Sequence, residues 1–191
     1  MLHLLLSNGA EPNAKDERGV TALILVAYSG NGNVARVLLD WGADPKAKGS
    51  HSMTSMHAAA QCRRVDVLHQ LASHNADVNA KDINGKTAIY YAAENGHEDA
   101  VQQLLDLQAD ISSTDKCGRT VLHYAIVDSE SWSGRNDSVV RLLVDANADL
   151  VNMEDSEGKA SLQLVVDNGS REAVLLLLEL GADNRGKGKQ E

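Results

Sequence analysis

The chain has 191 residues, and 18 Lys and Arg against 27 Asp and Glu give it a formal net charge of -9. That balance argues against binding a nucleic-acid backbone, which needs clustered cations to displace counterions, and suits a soluble protein whose partner is neutral or basic. Phe is absent and aromatic residues make up 3% of the chain, a scarcity that helices packed through Ala and Leu tolerate.

Residues 1–15 carry Leu4-Leu5-Leu6, a helix that ends at Gly9-Ala10-Glu11 with no partner helix before it. Over 16–48 a turn at Asp16–Gly19 leads to Thr21, an N-cap residue whose hydroxyl can accept from the first helical turn. A short helix with Leu23 and Ala27 stops at Gly30, and a second with Val34, Val37, Leu38 and Leu39 ends at Gly42-Ala43-Asp44. Over 49–81 the same order appears with Thr54, Met56 and Ala58–Ala60, then Val65, Val67 and Leu71. Here Arg63 stands where the other units place a glycine between helices. A positive φ at that point costs a non-glycine residue about 1 kcal/mol, so local irregularity is expected. The unit 82–114 is the most regular, with Asn84-Gly85, Thr87, Ile89, Ala92, Ala93, Gly96, Val101, Leu104 and Ala109-Asp110. Unit 115–154 starts well at Asp115, Gly118, Thr120 and His123, then carries a polar insertion near 128–136 that reads as an exposed loop. Unit 155–183 opens on Ala160-Ser161-Leu162-Gln163, holds register at Gly169, and closes at Gly181-Ala182-Asp183. Its Leu175 lies where the other units place Arg36, His69, Gln102 and Arg141. Residues 184–191 are Gly/Lys-rich and read as a flexible tail.

The period is fixed by Thr21, Thr54, Thr87 and Thr120, each 33 residues after the last, and by Ala43-Asp44, Ala76-Asp77 and Ala109-Asp110 in phase. Ala148-Asp149 and Ala182-Asp183 return after a small displacement. Gly-x-Thr, a small-residue helix, a glycine, a Leu-rich helix and Gly-Ala-Asp at this spacing resemble the ankyrin repeat over nearly the whole chain. The resemblance implies an all-α fold, an ankyrin-repeat α-solenoid of stacked helix-turn-helix pairs joined by β-hairpin or turn loops, as one array over residues 1–183. The chain departs from the family's Thr-Pro-Leu-His at every unit: the proline is never kept, and Ile24, Tyr90 and Gln163 replace the histidine that braces neighbouring loops. His57 and His123 retain it.

In this family the loop tips and first helices line a concave groove that binds other proteins. By register, the partner-binding candidates are Arg18, Tyr28, Trp41, His51, Met53, Gln61, His74, Asn84, Lys86, Glu94, Asn95, Arg119, Asp128 and Trp132. The expected function is a non-catalytic protein-interaction scaffold. The alternative is a groove that binds or transforms a small molecule, centred on units three and four. There Tyr91 with Glu94 and Tyr124 with Asp128 place phenols and carboxylates on one face of each helix. Catalytic and metal-ligating residues are expected to be none, since no Cys/His metal spacing, phosphate loop or nucleophile motif occurs. No cofactor, nucleic acid or membrane partner is expected. The longest apolar run, Val174–Leu178, falls far below the roughly 20 residues of a membrane span, and Met1–Leu6 lacks the pattern of a secretory signal. Further repeats or self-association could cover the apolar ends. Cys62 and Cys117, nearly two periods apart, lie beyond disulfide reach in stacked repeats. Free thiols suit the cytoplasm or nucleus.

Overall fold

The computed structural model describes residues 2–126 and 136–183. Eleven α-helices lie among them: α1 (Leu2–Ser7), α2 (Ala22–Ser29), α3 (Gly32–Asp40), α4 (Ser55–Gln61), α5 (Val65–Ser73), α6 (Ala88–Glu94), α7 (Glu98–Asp106), α8 (Val121–Ile126), α9 (Asp137–Ala146), α10 (Ser161–Asn168) and α11 (Arg171–Glu179). Two short 3-10 turns, Ser50–Ser52 and Ala148–Asn152, interrupt the loops. The β-hairpins expected in the loops shrink, among the described residues, to two isolated antiparallel bridges, Lys15 with Thr21 and Glu154 with Ala160.

The chain divides into two compact units, one of Met1–Ala92 with Asp99–Asp110 and one of Ala93–Glu98 with Ile111–Glu191. In the first unit, first helix packs on first helix (α2 on α4) and second on second (α3 on α5). Alanines make the close approach possible: Ala27, Ala58, Ala59 and Ala60 are wholly buried, and Leu38, Leu68 and Leu71 fill the space behind them. In the second unit α8 packs on α9 and α10, and α10 on α11. Its core is Leu122, Leu143, Leu150 and Leu177. Burying each such leucine stabilises the fold by about 1.5–3 kcal/mol.

The helix ends follow the sequence signals. Thr21 caps α2 by accepting from the Ile24 amide at 3.4 Å, and Gly30 closes the helix at φ 85°. Arg63, between α4 and α5, takes φ 57° as its register demands. The unit-two irregularity extends to the loop, where His51 and Ser52 also adopt positive φ. One expectation fails. Asn136, placed by sequence in an exposed insertion, is 5% exposed, and its side-chain amide donates to the Ala125 carbonyl at 2.8 Å. The carboxamide replaces a backbone donor at the end of α8, so the last residue of the insertion is structural. The rest of that insertion, with Asp128 and Trp132, and the tail 184–191 lie outside the described residues.

Apolar side chains are exposed at terminal positions of both units. Leu5 is 55% exposed although Leu38, one repeat on, is 2% exposed. Leu4, Leu25, Val166 and Leu175 are also open to solvent.

Candidate protein-binding surface

Four of the five loop tips, or fingers, are each built on one aspartate. The Oδ1 atom of Asp82 accepts the amides of Asn84 and Lys86 at 2.8 and 2.9 Å, and the Asp82 amide donates to the Lys86 carbonyl. Asp16, Asp115 and Asp155 repeat this arrangement. A carboxylate that satisfies two amides fixes a tight turn without using any tip side chain. The second finger has Gly49 at this position, and there the Ser50–Ser52 turn with its left-handed residues replaces the carboxylate.

Neighbouring fingers are tied by main chain. The Ile83 amide donates to the His51 carbonyl at 2.8 Å in the first unit, and the Ser156 amide to the Cys117 carbonyl at 3.0 Å in the second. The two retained histidines add a second tie. His57 Nδ1 accepts the Thr54 amide at 3.1 Å, which leaves the proton on Nε2 to donate to the Lys86 carbonyl at 3.1 Å. His123 does the same between the Thr120 amide and the Lys159 carbonyl. Both rings are fully buried, and burial holds both below the ordinary histidine pKa, so they work as neutral braces. In repeat one Ile24 fills this place, 3% exposed, with its side chain lying against Gly49.

An asparagine tie was not anticipated from sequence. Asn13 Oδ1 accepts the Asp44 amide at 2.6 Å, Asn79 the Asp110 amide at 2.8 Å, and Asn152 the Asp183 amide at 2.8 Å. Each pair is 31 residues apart, so the signal was an Asn recurring three residues before the first, third and fifth fingers.

The sequence-derived candidates separate into groups. Arg18, His51 and Asn84 are exposed at finger tips, and Met53 and Lys86 are half-buried beside them. Tyr28, on α2, is 37% exposed; burial, then the nearby Cys62, raises its phenol pKa. Gln61 is half-buried at the end of α4. Trp41 is 42% exposed and meets the His3 ring edge-on at 6.2 Å. His74 is engaged inside the repeat stack, with Nδ1 2.8 Å from the Gln70 carbonyl and Nε2 3.2 Å from Asp40. Glu94 is half-buried and Asn95 exposed, both at the end of α6. Arg119 is half-buried, its Nε 3.7 Å from Asp155. Burial pushes the Asp155 pKa up, but the amides of Lys159 and Glu157, with His123 and Arg119, hold it below the usual carboxylate value.

The phenols proposed for ligand chemistry are committed to the fingers. Tyr91 donates to Asp82 Oδ2 at 2.7 Å, and Tyr124 donates to Asp115 Oδ2 at 2.7 Å. Burial and the Asp115 bond raise the Tyr124 pKa, so it stays a neutral donor. The carboxylate thus uses one oxygen for the turn and the other for the helix, a structural role. Among the described residues no three His, Cys, Asp or Glu side chains group as a metal site, and no helix is long and apolar enough to cross a membrane. Cys62 and Cys117 are both free thiols.

No curated protein matches this chain. Residues 1–82 and 89–187 match the family model of ankyrin repeats in three copies, repeats that are generally protein–protein interaction modules; with nearly all of its length matched, the chain belongs to the ankyrin-repeat family.

Proposed function

We propose that this chain is a non-catalytic scaffold that holds a protein partner against the finger tips and first helices of its first unit. One observation carries the reading. The finger backbones are fixed by carboxylate, imidazole and main-chain hydrogen bonds, to which Arg18, His51 and Asn84 contribute main-chain atoms only, so that their side chains stand exposed at the tips. A fixed backbone loses little entropy of its own on binding, and the varied side chains it presents are open to a partner. Tyr28 and Trp41 supply apolar rings that remain partly open, the residue type that anchors interfaces. The small-molecule alternative loses its support because both phenols are spent on finger aspartates. Two free thiols are in keeping with a reducing compartment, the cytoplasm or nucleus.

The test is affinity capture from native extract with the full chain, beside a Tyr28→Ala, Arg18→Glu, Asn84→Ala variant whose circular dichroism matches wild type. A protein retained by wild type and lost with the variant is expected. Capture that survives these changes, and also Trp41→Ala, would place the interaction elsewhere.

A further inference from the structure

The net charge of -9 describes the whole chain, and the first unit's fingers depart from it. The residue just before each finger runs Lys15, Lys48, Lys81, Thr114 and Glu154 from first repeat to last. All three lysines are exposed. Lys15 pairs with Thr21 at the base of the first finger, and Lys48 Nζ donates to the Lys81 carbonyl at 3.3 Å, so consecutive lysines follow one another from repeat to repeat. Lys46, Lys48 and Lys81 border one cavity of about 160 Å³, where Asp77 is the one acidic lining residue. The aspartates nearby keep their charge while accepting backbone amides, Asp44 and Asp77 one each and Asp16 and Asp82 their fingers' amides, so the excess of lysine is local to the cavity lining, where three lysines face one acid. Glu11 and Glu17 remain exposed on the first finger, which puts the strongest site at the second and third repeats.

We propose that this face receives an extended acidic polypeptide segment, with a carboxylate seated among Lys46, Lys48 and Lys81. The proposal rests on the protein-binding reading above and names the chemistry of the partner. Helix layers repeat at about 10 Å and an extended strand advances about 3.3 Å per residue, so one lysine per repeat matches an acid at every third residue or so. Lysine is a mobile point charge, suited to carboxylates at approximate rather than fixed spacing.

The probe is a fluorescein-labelled 12-residue peptide with Glu at every third position, followed by anisotropy against the full chain. A Gln version and a Lys version of the peptide serve as controls. Binding of the Glu peptide alone is expected, weakening steadily with added NaCl. The exposed-site variant Lys15→Gln, Lys48→Gln, Lys81→Gln, with unchanged circular dichroism, should bind at least tenfold more weakly, and Lys48→Arg should bind as wild type. Equal binding of the Gln peptide, or no loss in the triple variant, overturns the proposal. So does a single-stranded oligothymidylate that displaces the peptide, which would make the site a general polyanion surface. A protein partner captured by the triple variant but lost with the Tyr28→Ala combination would sink this proposal and leave the scaffold reading standing.

Discussion

Gly118 and Gly158 occupy the same place in successive fingers, at φ 73° and 74°, yet only one is crowded. A Cβ on Gly118 would sit 2.6 Å from Ser156 Oγ and 2.7 Å from the Ser156 amide nitrogen, whereas Gly158 has nothing within 4 Å. Alanine at either position takes on left-handed strain of about 1–2 kcal/mol, offset by about 0.4–1 kcal/mol from the stiffer unfolded chain. Gly158→Ala should therefore cost about 1 kcal/mol or less. Gly118→Ala must also push the fifth finger away, against backbone that cannot rotate aside. Overpacking of this kind costs about 1–3 kcal/mol, and the Ser156-to-Cys117 hydrogen bond at 3.0 Å is strained with it, at about 1 kcal/mol. The two variants should differ by about 2 kcal/mol or more. In urea, with a slope near 2 kcal/mol/M, that moves the midpoint by about 1 M. The assay is urea unfolding by circular dichroism at equal slope. Equal midpoints for the two alanine variants would refute the claim that the fourth and fifth fingers are packed tip to tip.

Further outcomes follow from the same geometry. His57 and His123 are held below the ordinary value of 6.5 by burial, so the unfolded chain takes up protons first as pH falls. Stability from this source should be full above that value and decline as pH falls through it toward the lowered folded-state values; thermal melts of a His57→Gln, His123→Gln double variant should show a flatter profile, and an unchanged slope would remove the histidines as its cause. Asn79→Ala leaves the Asp110 amide without its acceptor at 2.8 Å; about 0.5–1.5 kcal/mol should be lost, and hydrogen exchange at that amide should speed up several-fold, more than at the Asp44 amide. Arg63→Gly relieves a residue at φ 57° but gives up an exposed ion pair with Asp99 at 2.9 Å. Such pairs contribute about 0–1 kcal/mol against strain of about 1 kcal/mol, so the melting temperature should hold or rise; a fall would show that the guanidinium matters more than the turn.

The helix pairs were readable because their signals are local. A threonine cap, a run of alanines and a turn glycine act within about one helical turn, and their 33-residue recurrence fixed the register that assigned positive φ to Arg63. The same register identified the bracing histidines. Ties that join one repeat to the next were harder to see. Asn79 holds the Asp110 amide 31 residues away, and nothing near Asn79 in sequence marks that acceptor. The finger role of the phenols was hidden for a related reason. Helix spacing points to Glu94 as a neighbour of Tyr91, and only the chain reversal at the finger brings Asp82, nine residues earlier, to the phenol. Tyr124 and Asp115 share that interval, which is the clue a sequence reader could use. Charge was legible as a total and not as a pattern, because backbone amides fix where the aspartate carboxylates sit relative to the lysines.

The side chain of Arg64 lies across Gly30. A Cβ there would meet the arginine at 2.5–2.7 Å, and Arg64 Nε donates to the Tyr28 carbonyl at 3.1 Å. Two positions 34 residues apart are thereby made epistatic. Any side chain at 30 evicts the guanidinium from the end of α2, while a shorter residue at 64 opens room for one. Substitutions at these sites are contingent on order: a change at 64 first is permissive, and a change at 30 first is penalised twice, by φ and by displacement. At Gly169, the same step of the fifth repeat, nothing lies within 4 Å, and that glycine can drift on its own terms.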